Sequence, residues 1–164
     1  MHSTRFLAAA ALTAVFAAAD LGSAMAQAFT PDQKVQQYDL TEQNKQLVTT
    51  AYQALFGDHD LTALDRYWAD TYIQHNPYMS DGREAVKQAL KQWGILDAPK
   101  QKISFLRVIA ESDLVMTQIA QPGQKNGPPT VIVDIFRVAD GKIAEHWDVT
   151  QQVPNDATNQ RSMY

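Results

Sequence analysis

Three ionisable residues near the C-terminal end, Asp134, His146 and Asp148, are spaced for proton chemistry. His146 and Asp148 lie two positions apart, which puts both on one face of an extended strand. Asp134 sits in the preceding apolar stretch, and Asp140-Gly141 between the two stretches marks a hairpin turn. An imidazole beside two carboxylates can hold and pass a proton. The matching chemistry is general acid and base catalysis, in which one group takes a proton from carbon next to a carbonyl and another returns it to oxygen. An ordinary aspartate carboxyl titrates near about 3.9, so a base of this kind needs apolar surroundings or a second carboxylate nearby.

The turn decides which side chains meet, because a slip of one residue moves every side chain to the other face. A two-residue turn at Asp140-Gly141 pairs Ala139 with Lys142 and sets Asp134 opposite Trp147. A three-residue loop, Ala139 to Gly141, pairs Val138 with Lys142 and sets Asp134 opposite His146, with Ile132 facing Asp148. The second register is favoured, since it gathers Val131, Val133, Ile135, Ile143, Trp147 and Val149 on one face. Asp134, His146 and Asp148 then share the other face with Ile132 and Phe136. Periodicity alone also allows a plainer reading, a solvated polar face that includes Lys142 and Thr150.

The elements that must position these groups run helices first, strands later. Residues 27–39 lack an apolar period and are expected to form a loose lead-in. A first helix starts near Asp39 or Thr41, where Asp39 and Glu42 have capping-box spacing, and ends near Gly57. A second, capped by Asp60, turns Leu61, Leu64 and Trp68 inward. Thr71 to Asn76 is extended ahead of Pro77. Asp81 and Glu84 repeat the capping-box spacing ahead of a third helix over about Gly82 to Leu96. Strands follow over Lys102 to Ala110, Leu114 to Ala120, Thr130 to Val138 and Lys142 to Gln151. The pattern predicts an α+β domain over 40–153, with a polar tail at 154–164.

Arg5, an alanine-rich apolar run and Ala24-Met25-Ala26 together predict a signal peptide over residues 1–26, and hence an exported chain, periplasmic or secreted. The run is too short to span a bilayer. Its removal takes away Arg5 and Asp20, so the formal net charge stays at −4. That balance argues against nucleic acid and anionic membrane as partners. With no cysteine, stability has to come from packing.

Three stretches resemble the SnoaL-like family of the nuclear-transport-factor-like superfamily. They are Tyr72-Ile73-Gln74-His75-Asn76-Pro77, Asp81-Gly82-Arg83-Glu84-Ala85-Val86, and the run from Val133 to Asp148. The resemblance implies a cone-shaped, curved antiparallel sheet wrapped around three N-terminal helices and enclosing a pocket, which makes the polar face concave. In the family's polyketide cyclases, an aspartate near the end of the last strand is acid and base in an aldol condensation, without metal or organic cofactor. Asp148 falls at that position. The chain departs from those cyclases by carrying Asp134 where they have histidine.

The resemblance also brings His75 and Asn76 to the pocket mouth, with His75 a further catalytic candidate. Tyr52, Trp68, Tyr72, Trp93 and Phe105 are candidates to line the cavity with Ile132 and Phe136, although such residues are often simply core. His75, His146, Asp134 and Asp148 suit zinc or iron by ligand type, but no H-E-x-x-H is present and no metal or cofactor is expected. The sequence lacks G-x-S-x-G, P-loop and dinucleotide motifs. Two readings remain: a cofactor-free cyclase, isomerase or lyase acting on a small carbonyl compound, and a secreted protein that binds a small hydrophobic ligand without turnover. The apolar outer face around Trp147 is a candidate homodimer surface.

Overall fold

Thr30 accepts a hydrogen bond from the Gln33 amide while the Gln33 side chain reaches back to the Thr30 amide, and Pro31 follows at the first helical position. This reciprocal cap starts helix α1 (Pro31–Tyr52) in the computed structural model, which describes residues 29–123, 127–159 and 161–164. The helix therefore begins well before Asp39, and the loose lead-in expected over 27–39 is helical from Pro31 onward. Its first turns are exposed, so no apolar period marks them. The signal peptide expected over residues 1–26 falls outside the described residues.

The end of α1 widens into a π-helical turn, Gln53–Gly57. Gln53 then ties this turn to the chain ahead of the first antiparallel strand, donating to the Gln101 carbonyl and accepting from the Ile103 amide. Asp60 accepts from the Thr62 amide ahead of the short helix α2 (Ala63–Tyr67). Trp68 lies not on that helix but at the start of strand β1 (Trp68–Gln74), where it is buried. Helix α3 (Arg83–Gln92) is shorter than the periodicity suggests. Its expected capping box does not form, because Asp81 instead accepts from the Gln74 amide and ties the loop to β1.

Strands β2 (Phe105–Glu111), β3 (Leu114–Gln121), β4 (Thr130–Ala139) and β5 (Lys142–Gln152) complete a five-stranded sheet in the order β1-β5-β4-β3-β2. All neighbours are antiparallel except β1, which runs parallel to β5. The fold is α+β, a curved and mostly antiparallel sheet whose inner face packs against the helices. Leu55, Leu64, Leu90, Ile119, Ile143 and Val48 are fully enclosed there. Burying each such side chain contributes about 1.5–3 kcal/mol. No helix among the described residues is long and apolar enough to cross a membrane.

The β4–β5 hairpin follows neither anticipated register. Asp140 and Gly141 both adopt positive φ, 51° and 70°, and form a two-residue turn with Ala139 opposite Lys142. One step later Val138 pairs with Ile143 but Arg137 pairs with Glu145, leaving Ala144 as a one-residue bulge. Beyond the bulge Asp134 is opposite Asp148, and His146 is opposite Phe136. The register is two residues away from the three-residue expectation. An even shift preserves faces, so Asp134, His146 and Asp148 still point to one side. Ile143, on the near side of the bulge, is core and not outer face.

Candidate active site

The inner face of the sheet and the helices enclose a cavity of about 460 Å³. Strand alternation on β4 delivers Ile132, Asp134 and Phe136 to it, and on β5 His146, Asp148 and Thr150. Beneath β1, Tyr72, Gln74 and Asn76 enter at the same two-residue interval. Tyr52 and Phe56 close the helical side, while Trp93 and the loop residues Pro77, Tyr78 and Met79 also line the space. Asp134 and Asp148 are the acidic residues of this lining, and it contains no lysine or arginine.

Asp134 and His146 are both buried and joined by a 3.0 Å contact between Oδ1 and Nε2. The other ring nitrogen, Nδ1, lies 2.9 Å from Gln74 Oε1. Gln74 settles where the imidazole proton sits. Its Oε1 also accepts from the backbone amide of Asn76 at 2.9 Å, an obligate donor, so the atom facing Nδ1 is oxygen and Nδ1 must carry hydrogen. A neutral imidazole would then aim a lone pair at the Asp134 carboxylate. A further proton therefore lies between Nε2 and Oδ1, on one atom or the other. Phe136 stacks on the imidazole, with centroids 4.7 Å apart, and Thr117 donates to Asp134 Oδ2 at 3.4 Å.

Asp148 is less enclosed. Asn76 Nδ2 donates to its Oδ2 at 2.6 Å, and among the described residues no donor reaches Oδ1. One atom from each of Asp134, His146 and Asp148 lies within 4.8 Å of the others. By donor type this set could take a metal ion, but Nδ1 is committed to Gln74 and the Nε2 contact with Asp134 would have to open. The carboxylates also leave their mark on two tyrosines. Burial first, then the charge of Asp134 and a hydrogen bond to it, hold the Tyr52 phenol well above its ordinary value. Burial likewise raises Tyr72, partly offset by hydrogen bonds from Trp68 and Gln74. Both are neutral donors at ordinary pH.

Of the residues singled out in the sequence, Tyr52, Trp68, Tyr72, Asn76, Trp93, Ile132, Phe136, Asp134, His146 and Asp148 line the cavity. Trp93 does so from the rim, 42% exposed. Two do not reach it. His75 is directed to the outer face, where its Nε2 meets Glu145 at 2.8 Å and its ring stacks on Trp147 at 4.7 Å. The expectation of His75 at the pocket mouth is thus corrected by strand alternation, which puts it on the opposite side from Gln74 and Asn76. Phe105 packs edge-on against Tyr52 from behind, with centroids 5.6 Å apart, and belongs to the core. Gln74 and Thr117 were not singled out. The two-residue spacing from Tyr72 would have found Gln74, whereas nothing local marks Thr117.

A profile of the SnoaL-like domain matches residues 48–146, more than half of the chain. The chain belongs to the SnoaL-like family. No curated protein matches the sequence. Among solved structures, TsrD from Streptomyces laurentii is 21% identical, covering 66% of this chain and 88% of its own, with a TM-score of 0.53. An LEH-like epoxide hydrolase of M. tuberculosis is 18% identical over 68% of this chain and 84% of its own, TM-score 0.52. An NTF-2 like protein of unknown function from Burkholderia xenovorans is 20% identical over 73% and 91%, TM-score 0.55. At such identities the likeness speaks for the fold. The SnoaL-like scaffold hosts small-molecule binding and catalysis.

Proposed function

We propose that this SnoaL-like domain binds a small, largely apolar carbonyl compound and acts on it by cofactor-free acid and base chemistry, of the cyclase, isomerase or lyase type. The observation that carries the reading is the placement of Asp148 and the proton-sharing Asp134–His146 pair on one wall of a largely apolar cavity. Asp148 Oδ1, free of donors, takes a proton from carbon next to the carbonyl. The bond pair moves into a new C=C bond and the carbonyl pair onto oxygen. Asp148 returns the proton at the product position, and the Asp134–His146 proton is the second acid within reach.

Product analysis after incubation with a panel of small ketones and aldehydes tests this. Wild type should convert at least one member, and Asp148→Asn should lose about 10²–10⁴-fold of that rate. Binding without turnover by the wild type would instead favour a ligand carrier. The reading includes export, which requires an intact mass beginning at Gln27. It also includes a second copy of the chain on the outer sheet face, where Ile135, Trp147 and Val149 lie.

A further inference from the structure

The two buried tyrosines of the cavity differ in what their hydroxyl groups meet. Tyr52 has the Asp134 carboxylate beside it as an acceptor for its hydroxyl hydrogen. Tyr72 has no such outlet. Asn76 N–H fixes Oε1 of Gln74, so the atom facing Tyr72 is the amide nitrogen, which donates to the phenol oxygen at 3.1 Å. The indole of Trp68, beside the same phenol, is a donor and never an acceptor, so it cannot take the hydroxyl hydrogen. An oxygen that receives the Gln74 N–H must turn its own hydrogen away from it. Among the described residues no acceptor takes that hydrogen.

We infer that the Tyr72 hydroxyl donates to the carbonyl oxygen of the ligand, and that Gln74 is the positioning residue that aims it. The inference rests on the carbonyl reading of the cavity and sharpens the substrate class to an enolisable ketone or aldehyde. Carboxylates and phosphates fit poorly, since Asp148 repels them and no lysine or arginine lines the space. When Asp148 removes the carbon-bound proton, negative charge grows on the carbonyl oxygen. A donor already oriented there stabilises that charge without reorganising. Tyr72 keeps its own hydrogen throughout, so no proton is lost from the ledger. Gln74 thereby orients two groups at once, Tyr72 through its nitrogen and His146 through its oxygen.

The test is the infrared carbonyl stretch of an isotope-labelled aryl ketone, such as acetophenone, bound to the full chain. In the wild type the stretch should move to lower frequency than in an apolar solvent. Tyr72→Phe should abolish that component. Gln74→Glu keeps an oxygen for His146 and for the Asn76 amide but replaces the donor to Tyr72 by an acceptor. The hydroxyl should turn to it and the shift should vanish with the ring still in place, a result that guards against misfolding of the Phe variant. An unchanged stretch in a folded Tyr72→Phe or Gln74→Glu overturns the role of Tyr72 while leaving the carbonyl site standing. Failure of the wild type to bind any ketone overturns both.

Discussion

Gln74 organises more of the site than any titratable residue, yet a neutral amide draws no notice in a search for acids and bases. Its position was still readable, because Tyr72, Gln74 and Asn76 alternate onto one face and Ile73 and His75 onto the other. Asp134, His146 and Asp148 were legible because charge in an apolar strand is conspicuous. Their hydrogen-bond partners Thr117 and Asn76 come from other strands and loops, which only the fold brings near. At the same scale, Asp60 is held at about 2, below its ordinary 3.8, chiefly by hydrogen bonds from Arg66 and Thr62. A depressed carboxyl stabilises the folded state above 3.8 and loses that contribution as pH falls toward 2. Thermal melts of wild type and Asp60→Asn should therefore differ near neutral pH and converge as the medium is acidified through this window. Because Asp60 is exposed, added salt should shrink the difference as well. A gap that persists unchanged to about pH 2 would contradict the assignment.

Element types followed from periodicity and element ends did not. The Thr30-Pro31-Gln33 cap was present in the sequence, but the exposed turns behind it carry no apolar stripe to confirm a helix. In the β4–β5 hairpin the favoured three-residue loop is overturned: Asp140 and Gly141 form the two-residue turn that ranked second in the sequence. The bulge at Ala144 has no sequence mark, and it rather than the turn restores the polar face. The expected face was right because turn and bulge together differ from a three-residue loop by an even number. On the outer side, Ile109, Met116, Ile135 and Trp147 are successive pairing partners across four strands, an apolar row open to a second copy. Sedimentation of the wild type should show a dimer, and Val149→Lys, at a site 71% exposed beside that row, should shift it to monomer. A wild-type monomer at micromolar concentration would remove this surface from the account.

For the whole molecule, helices followed by strands were enough to anticipate an α+β domain, and the family resemblance supplied the curvature that turns a polar face into a cavity wall. The resemblance could not supply the parallel pairing of β1 with β5, which carries Tyr72 and Gln74 beneath His146. On the proposed function, Asp148 removes a carbon-bound proton from a ligand held in this cavity. The most direct measurement is deuterium incorporation next to the carbonyl of a bound ketone in heavy water, followed by NMR. Wild type should accelerate the exchange over buffer, and Asp148→Asn should forfeit about 10²–10⁴-fold of the acceleration. Exchange no faster than buffer with a ketone that binds, or equal exchange in the variant, would contradict it.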